Sequence, residues 1–390
     1  MVLGLTGGIA AYKSAELARL FVQAGVTVHV VMTPGACRFI TPLTMQALTG
    51  QPVLTDLWNT GSGNAMGHIN LSREADAIVV APASADFLAK LAQGHADDLL
   101  STLCCARDVR LFVAPAMNRQ MWGNAATQRN VELLRADGVT ILGPDSGDQA
   151  CGEVGQGRMV EPEAIFDLMM AATQPQVLAG RRVLLTAGPT FEAIDPVRGI
   201  TNASSGKMGY ALARAAAEAG GNVTMVSGPT SLATPPGVTR IDVKSAAEMA
   251  QAVDRKVAEC DIFIGVAAVA DYTPENPAPR KMKKRDAPLT LTLKPTIDIL
   301  ATVASRAHPP YCVGFAAETE DLETHAQEKR RRKNVPLIIG NRVQDAIASD
   351  HNEVVLIDAT GAHPLPRMDK LALARRIVAE IATRAGTKPT

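Results

Sequence analysis

The sequence predicts an α/β protein with two doubly wound domains in series. Short runs rich in Val and Ile alternate with Ala-rich stretches of helical period, which is typical of a parallel sheet covered by helices. A strand followed by a glycine turn opens the pattern at residues 2–8, and a similar unit opens it again at 181–190. The chain has 390 residues, which suffice for two or three domains with separate cores.

The elements of the first half follow the order of a doubly wound sheet. The strand and turn VLGLTGG precede a helix over 14–24, the strand VTVHVVMT and the helix PLTMQALTG. The strand ADAIVVAPA comes next, followed by a helix from about Ala85, and VRLFVAPAMN and VTILGP complete the sheet. These four or five strands are apolar on both faces, as buried parallel strands are.

The second half repeats the pattern after a polar segment with Pro and Gly at 172–182. The strand RRVLLTAGPT precedes a helix over 206–219 and the strands NVTMVSGP, CDIFIGVAAVADY, YCVGFAAET and VPLIIGN. Residues 273–288 are Pro-rich and basic, which predicts a mobile loop. We therefore expect two Rossmann-like domains, at residues 1–173 and 174–390.

The charge balance argues against some classes of binding partner. Lys and Arg number 39, against 39 Asp and Glu, so the net charge is zero. Nucleic acids and anionic membranes are held by an excess of cations, so neither is expected as a partner. The sequence has no apolar run near the ~20 residues that span a bilayer and no secretory signal pattern, so we expect a cytoplasmic protein.

Polar and glycine residues follow the predicted strands of the first half. Gly7 and Gly8 end the first strand and open a helix, where backbone N–H groups can hold a phosphate, although tight-turn glycines without a ligand explain the pattern as well. Thr33 and Ser84 follow the second and third strands, and Asn118 follows the fourth. Open α/β sheets bind ligands at these strand ends, so we expect the side chains to share one crevice.

The cysteines indicate neither a disulfide framework nor a zinc site, because all six are scattered and none forms a CxxC pair. Cys151 differs from the others, since it lies in DSGDQACGEVGQGRM, whose many glycines predict a mobile flap. A thiol in a polar flap is uncommon for a structural cysteine. His68 follows another Gly-rich polar segment and can be a catalytic or an ordinary surface histidine.

The second half carries groups that suit a nucleotide. Asn202 begins NASSGKMG, which supplies free N–H groups and Lys207 at a predicted helix start but lacks the GxxxxGK[ST] spacing. Asp271 follows a strand, where it suits a nucleotide sugar or a metal. The cluster KMKKR from Lys281 and the cluster EKRRRK around Lys329 can balance a triphosphate or can be solvated faces.

The first half contains the motifs GGIAAYK, MGHINL, APASADFLAKLAQGHADDLLS, PAMNRQMW and ACGEVGQGRM. These motifs resemble those of the flavin-dependent cysteine decarboxylases, specifically 4'-phosphopantothenoylcysteine decarboxylase. The second half resembles phosphopantothenate–cysteine ligase in AGPTFEAIDPVRGITNASSGKMG, AAVADY, KMKK and GFAAET. Together the halves are similar to the bifunctional coenzyme A biosynthesis proteins of bacteria over nearly the whole chain.

For the first half, the resemblance implies a flavodoxin-like FMN domain that decarboxylates 4'-phosphopantothenoyl-L-cysteine to 4'-phosphopantetheine. It implies that His68 acts in catalysis, as a base on the thiol or as an orienting group. Asn118 would grip the substrate carboxylate, and Cys151 would donate a late proton. The implied FMN contacts are Gly7, Gly8, Ile9, Thr33, Ser84, Ala85, Asp86, Phe87 and Ala114.

For the second half, the resemblance implies that CTP activates 4'-phosphopantothenate as an acyl-cytidylate, which L-cysteine then converts to the amide. Mg²⁺ would bridge phosphate oxygens, with its protein ligands unassigned. Asn202 matches the residue linked to the acyl-cytidylate. The implied CTP contacts are Asp271, Lys281, Thr296, Ile297, Asp298, Ile299, Leu300, Phe315, Lys329 and Lys333. The chain departs from the ligase pattern at Phe191, where a basic residue is frequent, and at Ile297, where Pro is usual.

The resemblance further implies a homo-oligomer, with trimers of the flavin domain, dimers of the ligase domain and a dodecamer from their combination. Two other classes of protein explain the sequence less well. A regulatory flavoprotein without activity would need neither His68, Asn118 and Cys151 nor an attached ligase half. A nicotinamide-dependent reductase is disfavoured because neither glycine turn has the full dinucleotide fingerprint with an acidic residue ~20 positions on.

Overall fold

The computed structural model describes residues 1–57, 71, 73–149, 152–283, 289–318, 320–342 and 350–386. Two predicted catalytic residues, His68 and Cys151, therefore lie outside the described residues. The chain divides into two compact units, Met1–Thr173 and Gln174–Thr390. In the part of the chain that the structure describes, no helix is both long and apolar enough to cross a membrane.

The first unit contains a five-stranded sheet in which every neighbouring pair is parallel. Its strands are β1 (Val2–Leu5), β2 (His29–Met32), β3 (Ala77–Ala83), β4 (Arg110–Pro115) and β5 (Thr140–Ile141). The spatial order β2-β1-β3-β4-β5 is the flavodoxin-like order, in which ligands bind where the strand order reverses, between β1 and β3. The predicted fold class is confirmed for this unit.

Helices cover both faces of this sheet. They are α1 (Ala11–Gln23), α2 (Pro42–Thr49), α3 (Ala85–Gln93), α4 (Leu99–Cys105), α5 (Arg119–Gly123), α6 (Ala125–Ala136) and α7 (Pro162–Ala172). A strand alternates its side chains between faces, and both faces are buried here: Leu3 packs in one core cluster and Val2 in the other. Polar caps set the helix starts, as at Ser84, whose Oγ accepts the N–H of Phe87 at 3.2 Å.

The Gly-rich segment that the sequence predicts as a mobile flap forms an antiparallel hairpin outside the main sheet. Its strands are β6 (Asp145–Asp148) and β7 (Val154–Arg158). Side-chain and backbone hydrogen bonds hold this hairpin against α5: Arg119 N–H donates to Gln149 Oε1 at 3.0 Å, and Trp122 Nε1 donates to Gln156 Oε1 at 3.3 Å. The described part of the segment is therefore a docked element with its own pairing.

The second unit contains an eight-stranded sheet. Its strands are β8 (Arg182–Ala187), β11 (Asn222–Ser227), β12 (Val238–Asp242), β13 (Ile262–Gly265), β16 (Tyr311–Glu318), β17 (Leu337–Arg342), β18 (His351–Ile357) and β19 (Ala362–Asp369). The spatial order is β12-β11-β8-β13-β16-β17-β18-β19. The first six strands are parallel and repeat the Rossmann order 3-2-1-4-5-6, which reverses between β8 and β13.

The last two strands of this sheet are antiparallel, which the sequence analysis did not predict. Two small hairpins lie outside the sheet, β9 (Phe191–Ala193) with β10 (Gly199–Thr201) and β14 (Tyr272–Pro274) with β15 (Leu293–Pro295). Within the described residues, the helices of the unit are α8 (Lys207–Glu218), α9 (Ala246–Val257), α10 (Ile299–Ala304), α11 (Leu322–Lys333) and α12 (Lys370–Ala385). The strand β13 ends at Gly265, earlier than predicted, so residues 266–271 form a loop at the strand end.

The turn after β1 requires glycine at position 7 but not at position 8. A Cβ atom at Gly7 would lie 3.2 Å from the backbone of Gly35, in the turn after β2, whereas a Cβ at Gly8 would meet nothing within 4 Å. We expect Gly7→Ala to destabilise the first unit by about 1 kcal/mol through overpacking, and Gly8→Ala to leave its stability within a few tenths. Denaturant unfolding of both variants measures the difference, and equal destabilisation would contradict this account of the turn.

Candidate functional site

A cavity of about 670 Å³ lies at the carboxyl ends of the first unit's strands. Six of the predicted residues line it: Gly7, Gly8, Ile9, Ser84, Ala85 and Asn118. Their convergence follows from the parallel sheet, because β1, β3 and β4 all end at the same edge. The predicted crevice is therefore present, with the glycine turn and the N-terminus of α1 on its wall.

Thr6 joins two of these strand ends. Its buried Oγ1 donates to Pro82 O at 2.7 Å and accepts the N–H of Ser84 at 2.9 Å. The turn after β1 is thereby held in position against the turn after β3. Thr6 was not among the predicted site residues, although its place directly before two glycines at a strand end is a usable signal.

A buried cation that was not among the predicted site residues also borders the cavity. The side chain of Lys13, on α1, is 7% exposed, and its Nζ lies 2.9 Å from Glu161 Oε1 and 3.1 Å from Met159 O. Arg158 pairs with the same carboxylate at 2.7 Å. The hydrogen bond from Lys13 lowers the pKa of Glu161, so this carboxylate stays ionised and ties α1 to the end of the β6–β7 hairpin.

Asn118 presents one end of its amide to the cavity. Its Oδ1 accepts the N–H of Met121 at 2.8 Å and caps α5, whereas its Nδ2 has no hydrogen-bond partner among the described residues. The backbone next to it is fixed, because Met117 N–H donates to Gly157 O at 2.9 Å. The free N–H₂ group is thus held at the cavity wall and suits a carboxylate or carbonyl oxygen.

The other predicted flavin contacts do not line this cavity. Thr33 is half-buried, and its Oγ1 accepts the N–H of Ala36 at 3.2 Å. Asp86 is exposed in the first turn of α3, while Phe87 and Ala114 pack in the hydrophobic core. These positions support the strand ends, and their contact with a flavin stays a prediction.

The second unit has a cavity of about 360 Å³ beside the reversal of its strand order. Nine predicted nucleotide contacts line it: Asp271, Thr296, Ile297, Asp298, Ile299, Leu300, Phe315, Lys329 and Lys333. A short hairpin brings distant parts of the chain together, since Thr296 N–H donates to Asp271 O at 2.9 Å and its hydroxyl donates to Ala270 O at 2.6 Å. Ile297, the departure from the ligase pattern, is 53% exposed at the cavity edge.

The charged groups in this cavity shift one another's pKa values. Asp298 caps α10 by accepting the N–H of Ala301 at 3.0 Å, and it pairs with Lys333 at 3.0 Å. Burial alone would raise the pKa of Asp298, but the Ala301 N–H and the Lys333 ammonium lower it. Burial lowers the pKa of Lys329, and the nearby Lys333 ammonium lowers it further. An anion placed between the two lysines would relieve their repulsion.

A second cavity of about 510 Å³ adjoins the first and shares its residues Ala267, Val269, Phe315 and Lys329. Asn202 lines this second cavity, with its Nδ2 donating to Ala268 O at 2.9 Å. Lys329 Nζ donates to Phe315 O at 2.8 Å, so a cation stands on the common wall. The two cavities can therefore hold two molecules that react with each other beside Lys329.

Lys281 is the predicted nucleotide contact that lies outside these cavities. It is exposed, and the segment that carries it is tied to the loop between β9 and β10 by the buried side chain of Asp195. The carboxylate of Asp195 accepts the N–H groups of Met282 at 3.1 Å and of Val197 at 2.8 Å. Phe191, the other departure from the ligase pattern, lies on β9 with Lys244 Nζ 5.0 Å from its ring centroid.

Comparison with known proteins identifies the class of each unit. Residues 1–174 match the family described as Flavoprotein. Residues 178–384 match the family described as DNA/pantothenate metabolism flavoprotein C-terminal domain. The chain thus joins a flavoprotein domain to a pantothenate-metabolism domain.

Relatives of the same length define the family. The Coenzyme A biosynthesis bifunctional protein CoaBC of Vibrio cholerae is 50% identical over 97% of this chain and 96% of its own length. The protein of that name in Escherichia coli K12 is 48% identical over 100% of this chain and 98% of its own, and the one in Bacillus subtilis 168 is 45% identical over 98% and 96%. The chain belongs to the family of bifunctional coenzyme A biosynthesis proteins, and the resemblance seen in its motifs is confirmed.

We expect the buried carboxylate of Asp195 to make a pH-dependent contribution to the free energy of unfolding. The hydrogen bond from the Arg198 guanidinium, with backbone N–H donors, holds the pKa of Asp195 well below its usual value. A carboxylate with a lowered folded-state pKa stabilises the fold above its unfolded pKa of about 4 and loses that contribution as the pH falls further. We expect Asp195→Asn to unfold more easily than the parent at pH 7, with the gap narrowing between pH 4 and pH 2. Thermal unfolding across this range measures it, and a gap independent of pH would contradict the assignment.

Proposed function

We propose that the second unit ligates 4'-phosphopantothenate to L-cysteine with CTP, and that the first unit decarboxylates the product to 4'-phosphopantetheine. Family membership supports the two activities together. The observation that carries the ligase assignment is the pair of adjoining cavities with Lys329 on their common wall. Ligation through an acyl-nucleotide requires adjoining sites, since the carboxylate of the acid must reach the α-phosphate of the nucleotide.

In the ligase unit, the nucleotide would occupy the smaller cavity, between Asp271 and the segment from Thr296 to Leu300. The acid would occupy the larger one, beside Asn202. The carboxylate attacks the α-phosphate near Lys329, pyrophosphate leaves, and the amine of L-cysteine then displaces CMP to form the amide. Lys329 would stabilise the charge that develops at the transferred phosphoryl group, and the amide of Asn202 would orient the acyl group.

Mg²⁺ would enter this site bound to the phosphates of the nucleotide. In the described ranges there is no group of three or more His, Cys, Asp or Glu side chains that could hold a metal ion. Mg²⁺ keeps several waters and commonly binds through one or two carboxylates and substrate phosphates, so a preformed protein cage is not required. The exposed carboxylate of Asp271 in the smaller cavity is the residue we propose as its protein contact.

The cavity of the first unit fits a flavin mononucleotide. A glycine turn and the start of α1 suit its phosphate, and Ile9, Met117 and Met121 give the cavity an apolar wall. When bound, FMN supplies a two-electron oxidation at the thiol-bearing carbon and later returns both electrons, so that loss of CO₂ does not leave an unstabilised carbanion.

The chain's own residues would bind the substrate and move its protons. The free N–H₂ of Asn118 would donate to the substrate carboxylate and hold it until CO₂ leaves. We propose that Cys151 donates the proton that completes the saturated thiol, and that His68 acts as a base or an orienting group.

We further propose that the protein is a homo-oligomer. Large apolar side chains remain exposed in both units, among them Leu43 at 73% and Phe39 at 53% in the first and Tyr272 at 54% in the second. A subunit interface would bury such side chains. The predicted trimeric, dimeric and dodecameric forms stay predictions.

The ligase proposal is tested by mixing the protein with 4'-phosphopantothenate, L-cysteine, CTP and Mg²⁺ and following pyrophosphate and CO₂. We expect Asn202→Ala to lower pyrophosphate release roughly 10²-fold, because one positioned donor is lost, while CO₂ release from added 4'-phosphopantothenoylcysteine is unchanged. Asn222→Ala is the matched control, since Asn222 lies at the opposite, amino end of β11. Loss of both activities in Asn202→Ala would contradict the division of labour between the units.

Asn118 offers a sharper test of the decarboxylase site. Asn118→Asp keeps the oxygen that caps α5 but replaces the free N–H₂ with a second anionic oxygen, which would repel the substrate carboxylate. We expect kcat/KM for 4'-phosphopantothenoylcysteine to fall at least about tenfold, with flavin content and Tm unchanged. Asn124→Asp is the control, because Asn124 caps α6 in the same way and does not line the cavity. A comparable loss in both variants would point to helix capping alone.

A further inference from the structure

The ammonium group of Lys13 joins helix α1 to the segment that follows strand β7. Its Nζ donates to Met159 O at 3.1 Å and to Glu161 Oε1 at 2.9 Å, and the side chain is 7% exposed. Glu161 is exposed and also pairs with Arg158 at 2.7 Å. Lys13, Arg158 and Met159 line the cavity of the first unit. The ion pair therefore ties one stretch of the cavity wall to α1.

The same stretch contacts the turn that carries Asn118. The carbonyl of Gly157, on β7, accepts the N–H of Met117 at 2.9 Å. A Cβ atom at Gly157, where φ is +129°, would lie 2.4 Å from Met117 O and 3.3 Å from the carbonyl carbon of Asn118. Only glycine allows two backbones to approach this closely. A shift of residues 157–159 would therefore move the backbone at Asn118 as well.

The position of this backbone decides where the amide of Asn118 points. Its Oδ1 accepts the N–H of Met121 at 2.8 Å, and this bond fixes the side chain relative to α5. The amide lies at the wall of the cavity, where we propose that its N–H₂ group donates to the substrate carboxylate. A displacement of about 1 Å at such a group can lower a rate by about 10²-fold. The contact with residues 157–159 is therefore important for catalysis.

An ion pair at this place is not explained by stability alone. Removing an ammonium group from water costs free energy, and an apolar pair of similar volume often stabilises a protein as well or better. Charge-assisted hydrogen bonds differ from apolar contacts because they are short and directional. Lys13 holds two oxygen atoms of the segment in this way, one from the backbone and one from Glu161. Its chemistry therefore suits the precise placement of this segment.

We propose that Lys13 is a positioning residue for decarboxylation. Through its two hydrogen bonds it fixes residues 157–159, and these residues fix the backbone of Asn118 at the cavity wall. The inference rests on the proposed decarboxylase function and deepens it, because it names the group that sets the carboxylate-binding amide in place. Lys13 acts through Asn118 and not by contact with the substrate.

Steady-state kinetics of full-length variants test this role, with kcat/KM for 4'-phosphopantothenoylcysteine expressed per bound flavin. We expect Lys13→Met to lower kcat/KM roughly 10- to 100-fold, because the amide of Asn118 is displaced. In the Asn118→Asp protein, which already lacks the N–H₂ donor, the same substitution should lower kcat/KM less than about threefold, since the two residues act as one unit. Pyrophosphate release by the second unit should stay unchanged.

Amide hydrogen exchange gives a readout that does not depend on activity. The N–H of Met117 donates to Gly157 O, so its exchange should become faster in Lys13→Met. Arg19→Met is the matched control, because Arg19 lies on the same helix and pairs with Glu16 on its exposed surface. This control should change neither kcat/KM nor the exchange of Met117.

A second variant keeps the experiment decisive if Lys13→Met folds poorly. Lys13→Met combined with Glu161→Leu removes both charges of the pair, and the side chain of Arg158 is 42% exposed, so water can solvate its charge. The double variant should show the same loss of kcat/KM and the same dependence on Asn118.

Four results would contradict the proposal. Equal losses of kcat/KM in the parent and Asn118→Asp backgrounds would mean that Lys13 acts on the substrate or the flavin directly. Loss of flavin with unchanged kcat/KM per bound flavin would indicate a purely structural role. Unchanged kcat/KM, or unchanged exchange of Met117, would remove the link to Asn118. A parent protein that releases no CO₂ from 4'-phosphopantothenoylcysteine would instead overturn the decarboxylase function, and the inference with it.

Discussion

Each main sheet has helices packed on both of its faces, and this constraint decides where chemistry can occur. A strand buried on both sides, such as β3, has no side chain available to a ligand along its length. What remains free is the edge where parallel strands end and loops begin. The cavities that hold the predicted site residues lie at such edges, close to the point where the strand order reverses.

Close backbone contacts make these edges rigid. Gly7 meets Gly35 in the first unit, and Gly188 meets Gly206 in the second, at distances that leave little or no room for a side chain. Threonine hydroxyls then join neighbouring strand ends, as Thr6 does between β1 and β3 and Thr190 does by accepting the N–H of Ala270 at 3.0 Å. Preorganised N–H groups at fixed turns need no rearrangement when a phosphate binds, which is the condition for effective electrostatic stabilisation.

The neutral net charge conceals strong local imbalance. Lys13 is buried but paired with Glu161, so its charge is balanced within the first unit. Lys329 is half-buried and Lys370 is buried, each near another lysine, and burial together with this repulsion lowers the pKa of each. A protein holds such cations only if a ligand or a structural partner offsets their cost. Lys329 stands on the wall shared by two cavities of the second unit, where an anionic ligand would offset this cost.

The sequence by itself determined the fold class and the paired glycine turns, because strand periodicity and turn chemistry are local properties. Its resemblance to the ligase family predicted nine residues that line the smaller cavity of the second unit. The antiparallel strands β18 and β19 and the packing of the β6–β7 hairpin against α5 were not predicted. Both depend on which elements, distant in sequence, pack against these segments. Thr6 and Lys13 have no local motif. Only the tertiary structure decided their roles, since burial and the proximity of charges distant in sequence arise when the strand ends come together.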